Sequence, residues 1–132
     1  MEIGIKIAPH HVKWETLLEV ARIADQAEIF HQFWNFDHFY PIKGDTDGPC
    51  LEAWVTLTGI AQATNRIRIG CMVNGVHYRH PAVLANMASA LDIVSQGRFE
   101  LGLGAGWNEL ESGAYGIELG TLKERFDRFD EA

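Results

Sequence analysis

Ile3, Ile5 and Ile7 alternate with Glu2, Gly4 and Lys6, a period of two that predicts a strand over residues 1–8 with one strongly apolar face. Trp14, Leu17, Leu18, Ala21, Ala24 and Glu28 then fall at helical spacing, which completes a first βα unit. Residues 33–37, FWNFD, predict a short aromatic strand, followed by a long excursion rich in Gly, Pro and Asp. Trp54, Leu57, Ile60 and Ala61 restore the helical period up to Asn65, and residues 67–73 alternate again as a third strand. Pro81 opens the next helix, whose stripe is Val83, Leu84, Met87, Ala88, Leu91 and Val94, with Gly97 as the left-handed stop. A fourth strand follows over residues 98–103. Asn108 with Glu111, and Thr121 with Glu124, each have capping-box spacing and start two further helices.

Strand–helix units in succession, without hairpins, imply a parallel sheet with right-handed crossovers. The strand faces decide between two parallel architectures. Phe99, Leu101 and Leu103 share one face of the fourth strand, while Glu100, Gly102 and Gly104 share the other, and Lys6 and Arg68 make the first and third strands equally one-sided. A doubly wound sheet buries both faces and reads as continuous apolar runs. The expected fold is therefore α/β, the N-terminal half of a (β/α)8 TIM barrel: a single half-barrel domain, residues 1–132, of four parallel βα units. That is about half the ~250 residues of a full barrel. Two unpaired sheet edges invite association, so a homodimer through the exposed edges is expected.

Composition narrows the function. Eleven Lys and Arg against 18 Asp and Glu give a net charge of −7, with no basic run, so no nucleic acid partner is expected. No apolar stretch approaches the ~20 residues of a membrane span, and the expected setting is cytoplasmic, without membrane. Cys50 and Cys71 have no metal or redox spacing and read as reduced, packed thiols.

In a barrel, chemistry sits at the strand C-terminal ends. Here these are Ala8 to His11, Asp37-His38-Phe39, Val73-Asn74-Gly75 and Gly104 to Asn108. His38 places a group titrating near neutrality at one such end, as a catalytic acid or base or as a hydrogen-bonded rim residue. The turn GLGAGW fails the GxGxxG dinucleotide fingerprint and lacks the GK[ST] of a phosphate loop. Its glycines either permit a tight turn or let backbone approach a ligand, with Trp107 placed to stack on a planar one. His77 and His80, and His10 beside His11, do not make a convergent metal site, and no metal is expected. Arg79 reads as a salt-bridge anchor, Trp34 and Trp54 as core aromatics, and Glu124 to Glu131 as a solvated helix face.

The segments FDHFYPI, GPCLEAW, YRHPAVLANMASALDIVSQGRFELGLGAGWNELE and AYGIELG with ERFDRFDEA resemble the luciferase-like monooxygenase superfamily, in particular its F420-dependent oxidoreductases, over the N-terminal half of that family's barrel. The resemblance implies a flavin or deazaflavin ring across the strand ends. The implied cofactor is F420, with FMN the alternative, and the implied partner is a small-molecule substrate. It places Asp37 and His38 at the ring edge, His38 being the catalytic candidate for proton transfer. Met72, Val73 and Asn74 match a strand end where the family often has a bulge with a non-proline cis peptide. Ala105, Gly106, Trp107 and Asn108 would line the ring's edge. The implied function is hydride transfer with F420; the alternatives are an FMN-dependent monooxygenase and a catalytically silent half-barrel module that homodimerises or needs a C-terminal half.

Overall fold

Alternation and helical spacing produce the expected elements in the computed structural model, which describes residues 1–132 throughout. They run β1 (Ile3–Lys6), α1 (Trp14–Gln26), β2 (Phe30–Asn35), α2 (Ala53–Ala63), β3 (Arg68–Gly75), α3 (Pro81–Val94), β4 (Phe99–Gly104), α4 (Glu109–Ala114) and α5 (Leu122–Glu131). The strands form one parallel sheet in the order β1-β2-β3-β4, leaving β1 and β4 as its edges. No helix is long and apolar enough to cross a membrane.

The helices bury one face. Phe33, Ile69 and Cys71 pack beneath Leu17, Ala21, Trp54, Leu57, Ile60, Leu84 and Leu91, with Phe99 and Leu103 against them. The opposite face carries Gly4, Lys6, Gln32, Trp34, Arg68, Gly70 and Glu100, as the register of paired residues requires. Trp34 is thereby corrected from a core aromatic to an inner-face residue. The parity of β2 sends Phe33 to the core and Trp34 the other way, where Gly4 and Gly70 leave room for its ring. Leu101 shares the core face with its partner Cys71 yet is 47% exposed, because it lies on the edge strand.

Boundaries moved where pairing, not side-chain character, sets them. β2 starts at Phe30, opposite Ile3, rather than at Phe33, and stops before Asp37. α1 ends at Gln26, short of Glu28. β3 runs past Val73 to Gly75, because a bulge between Cys71 and Asn74 sets three residue steps against the two from Leu101 to Leu103. The Met72-Val73 bond in that bulge is cis. Gly97 adopts φ +80° at the end of α3, as the sequence required.

Two polar residues tie the loops at the other end of the sheet. Asp25 accepts from the backbone N–H groups of Asn65, Arg66 and Ile67 at 2.9, 2.8 and 2.7 Å; burial raises its carboxyl's proton affinity, but these bonds outweigh it and hold the pKa below the usual value. Arg98 donates to the carbonyls of Ala61, Thr64, Ile67 and Ser95, joining α2, α3 and the start of β4. A single ammonium cannot reach four carbonyls at once. Arg98→Lys is expected to cost roughly 2 kcal/mol, read as a lower urea midpoint at unchanged slope; an unshifted midpoint would show that the fork is dispensable.

Candidate active site at the strand C-terminal ends

The loop after β2 is held in place before it contributes any chemistry. Its far end pairs back onto the loop after β1, with His11 N donating to Pro49 O and Leu51 N to Pro9 O at 2.9 and 2.8 Å. Asn35, fully buried, donates through its amide to Ala53 O at 3.0 Å and so fixes the start of α2. Asp37 accepts both arms of Arg79, at 2.5 and 3.0 Å, and Arg79 also reaches Glu52 at 3.0 Å while lying 5.9 Å from the Trp54 ring centre. Arg79 is thus the anchor its sequence position indicated. Burial lowers its affinity for the proton, but Asp37 and Glu52 outweigh this and raise it above the ordinary value.

His38 follows, 9% exposed. Its Nδ1 lies 2.7 Å from Glu111 Oε2, and the same carboxylate accepts from Phe39 N at 2.5 Å and from the Tyr78 hydroxyl. Glu111 has no exposed surface. Burial alone would push its carboxyl up; the hydrogen bonds from His38, Tyr78 and Phe39 more than compensate, holding it below the usual carboxylate range. A carboxylate on Nδ1 makes that nitrogen the donor, which leaves Nε2 as the free ring nitrogen. The Phe36 and Trp107 rings stand edge-on to His38 at 5.1 and 5.5 Å.

These groups face a cleft of about 200 Å³ lined by Lys6, Phe36, Asp37, His38, Ile42, Met72, Val73, Gly75, His77, Tyr78, Gly106 and Trp107. The β3 bulge turns two successive apolar side chains outward: Met72 is 43% and Val73 42% exposed. Gly106 turns at φ +84° directly beneath the His77 ring, leaving no space for a side chain. His77 contacts Ser112 Oγ through Nε2 at 3.4 Å, while its buried Nδ1 has no partner. Burial, then Arg128, lowers its pKa from 6.5 to about 4.

Of the residues singled out in the sequence, Asp37, His38, Met72, Val73, Gly106 and Trp107 meet at this cleft. Asn74, Ala105 and Asn108 do not line it. Asn74 is fully buried and donates to Gly102 O at 2.9 Å, and Asn108 caps α4 by accepting from Glu111 N at 3.2 Å. The Asn108–Glu111 capping box is therefore only half formed, because the Glu111 carboxylate turns to His38 instead of back to the cap. The Thr121–Glu124 box is complete. Glu111 and Tyr78 were missed as site residues: helix-start spacing already accounted for Glu111, and nothing local marks Tyr78. The described chain has no cluster of ligands for a metal ion.

Removing the Glu111 charge leaves three buried donors sharing one neutral acceptor. Glu111→Gln is expected to lower stability by roughly 3 kcal/mol and to shift His38 towards the Nε2–H tautomer, read from imidazole 15N shifts; an unchanged tautomer would refute the orienting role. Acid has a separate effect. Between pH 6.5 and about 4, His77 takes up a proton when unfolded but not when folded, so stability is intact above that window and falls as pH drops through it. His77→Gln should flatten the decline in melting temperature across the window, and equal slopes for the two proteins would contradict the assignment.

The luciferase-like monooxygenase family model matches residues 1–132. The F420-dependent hydroxymycolic acid dehydrogenase of Mycobacterium tuberculosis is 34% identical over 131 residues, covering 98% of this chain and 36% of that protein. The F420-dependent glucose-6-phosphate dehydrogenase of Amycolatopsis mediterranei is 31% identical over 134 residues, covering 100% and 39%. Among solved structures, a monooxygenase from Streptomyces bottropensis superposes with a TM-score of 0.81 at 27% identity over 99% of this chain and 40% of its own. An F420-dependent secondary alcohol dehydrogenase bound to an F420–acetone adduct superposes with a TM-score of 0.81 at 25% identity, over 97% and 39%. The chain thus spans well under half the length of the proteins it matches, and over that span its sheet is the N-terminal half of their barrel. On the family match across all its residues, the chain belongs to the luciferase-like monooxygenase family.

Proposed function

We propose that the protein is an F420-dependent oxidoreductase acting on a small alcohol or its carbonyl counterpart, with His38 as the proton-transfer group. The observation that carries this reading is His38 held through Nδ1 by Glu111 at the edge of a cleft whose wall is two outward-facing apolar residues. The similarity to F420-dependent dehydrogenases supports the choice of cofactor, and the likeness to a monooxygenase makes FMN the alternative.

The cleft suits a flat, largely apolar ring. Met72 and Val73 expose more than two-fifths of their surface in a chain of net charge −7, and covering them removes apolar area from water. Trp107, 60% exposed, offers a stacking face beside them. The glycine turn lets backbone approach at Gly106. In this reading Met72, Val73, Gly106 and Trp107 hold the ring and Asp37 closes its edge, while Asn74, Ala105 and Asn108 support these from behind. F420, when bound, supplies a two-electron hydride acceptor or donor.

The protein's own contribution is the placement of one proton. With Nδ1–H committed to Glu111, Nε2 accepts the hydroxyl proton of an alcohol as it becomes a carbonyl, and returns it in reverse. The anionic Glu111 stabilises the imidazolium that forms. The edge-on rings of Phe36 and Trp107 restrict water around the imidazole.

Titration of F420 and of FMN into the purified chain tests the cofactor: saturable binding of F420 at micromolar concentration, tighter than FMN, is expected, and binding of neither would reject the reading. With a panel of secondary alcohols, His38→Asn should lower turnover roughly 10²–10⁴-fold while leaving F420 affinity nearly unchanged. Full activity in that variant would remove His38 from the chemistry.

A further inference from the structure

Of the charged side chains on the open inner face of the sheet, Glu2, Arg68 and Glu100 each have a polar side-chain partner and Lys6 has none. Arg68 of β3 meets Glu100 of β4, and the Gln32 amide reaches Glu2 and Glu100 at 3.4 and 3.5 Å. Lys6, the last residue of β1, lies on the same face in register with Trp34 and is in none of the chain's ion pairs. Its ammonium sits 6.0 Å from the centre of the Phe36 ring, and the His38 ring is 5.1 Å from the same ring. Lys6 and Phe36 line both the His38 cleft and an adjoining hollow of about 260 Å³, shared with Ala8, His10, Ile42 and Lys43.

Two further observations make this hollow a site rather than a gap. His10 presents a buried Nδ1 with no hydrogen-bond partner, a polar atom that a ligand would satisfy. The neighbouring carboxylates are already engaged, Asp37 by Arg79 and Glu111 by His38, Phe39 and Tyr78. No carboxylate lines the hollow, whereas Lys6 and Lys43 both do, so its lining charge is positive although the chain carries a net charge of −7. Such a local reversal attracts anions into a concave site.

We propose that Lys6, with His10 and Lys43, forms an oxyanion subsite beside His38, and that the substrate is an alcohol bearing a carboxylate or phosphate seated there. The inference rests on the proposed oxidoreductase reading. In the oxidation, the carbinol C–H bond breaks and hydride leaves with its electron pair to F420, while the hydroxyl proton passes to His38 Nε2. A carbonyl results, and the acidic group stays ionised throughout. Lys6 is thus a specificity-determining residue that selects acidic alcohols over neutral ones.

Ligand-observed NMR on the purified chain tests this without turnover, using glycolate and glycerol 3-phosphate, with ethylene glycol and glycerol as neutral counterparts. At least one anion should bind the wild type, more weakly as salt rises, and the neutral compounds should not. Lys6→Met, which keeps an apolar stem, should weaken the anion about tenfold, whereas Lys6→Arg should keep most of the affinity. The relative response to glycolate and glycerol 3-phosphate identifies the acidic group. Absence of anion binding, equal binding by Lys6→Met, or equal binding of the neutral compounds would overturn the subsite. F420 titration of the same variants separates the two proposals. Failure of the wild type to bind F420 defeats the oxidoreductase reading alone. Loss of F420 affinity in Lys6→Met, with anion binding intact, assigns the ammonium to the coenzyme and overturns the subsite.

Discussion

A carboxylate with no access to water must find donors within the protein, and in this chain the donors that Glu111 finds hold the candidate site together. His38, Phe39 and Tyr78 come from the loops after β2 and β3, while Glu111 itself stands in α4, after β4. One side chain therefore gathers three strand ends. The backbone bond to Phe39 N fixes the loop, the bond to Nδ1 fixes the imidazole tautomer, and Asn108 fixes the first turn of α4 from which Glu111 projects. Leaving any of these donors unpaired in a buried setting costs more than an average hydrogen bond contributes, so the arrangement resists partial loss.

The division of the sheet into two unlike faces makes such a site possible. The helix-facing side is apolar and carries the stability. The inner side is glycine, charge, one glutamine and one tryptophan, and a buried core would not tolerate such polar groups without partners. Ion pairing disposes of Arg68 and Glu100, Arg79 disposes of Asp37, and Lys6 is left facing the cleft. The bulge in β3 adds the apolar component by turning Met72 and Val73 outward where strict alternation would have buried one of them. The apolar wall of the cleft and the free cation follow from parity along the strands and one irregularity in it.

The sequence by itself determined the architecture. Alternation, helical period, Pro81 at a helix entry and Gly97 at a helix stop are local signals, and the backbone obeyed them because each depends on neighbours a few residues away. The one-sidedness of the strands likewise selected a half-barrel over a doubly wound sheet, and the strand ends carrying His38, Val73 and Gly106 were legible from the same count. Tertiary structure alone decided which of these end residues meet, and what each is bonded to. Glu111 reads locally as a helix cap; only the arrival of His38 and Tyr78, 73 and 33 residues away in sequence, makes its carboxylate the acceptor that orients the His38 imidazole. Trp34 reads as core until strand parity places it on the other face. Lys6 reads as one polar position in an alternating strand until pairing among its neighbours leaves it without a partner. Burial, pairing and the absence of pairing are properties of the assembled sheet, set by contacts between distant segments that no local pattern records.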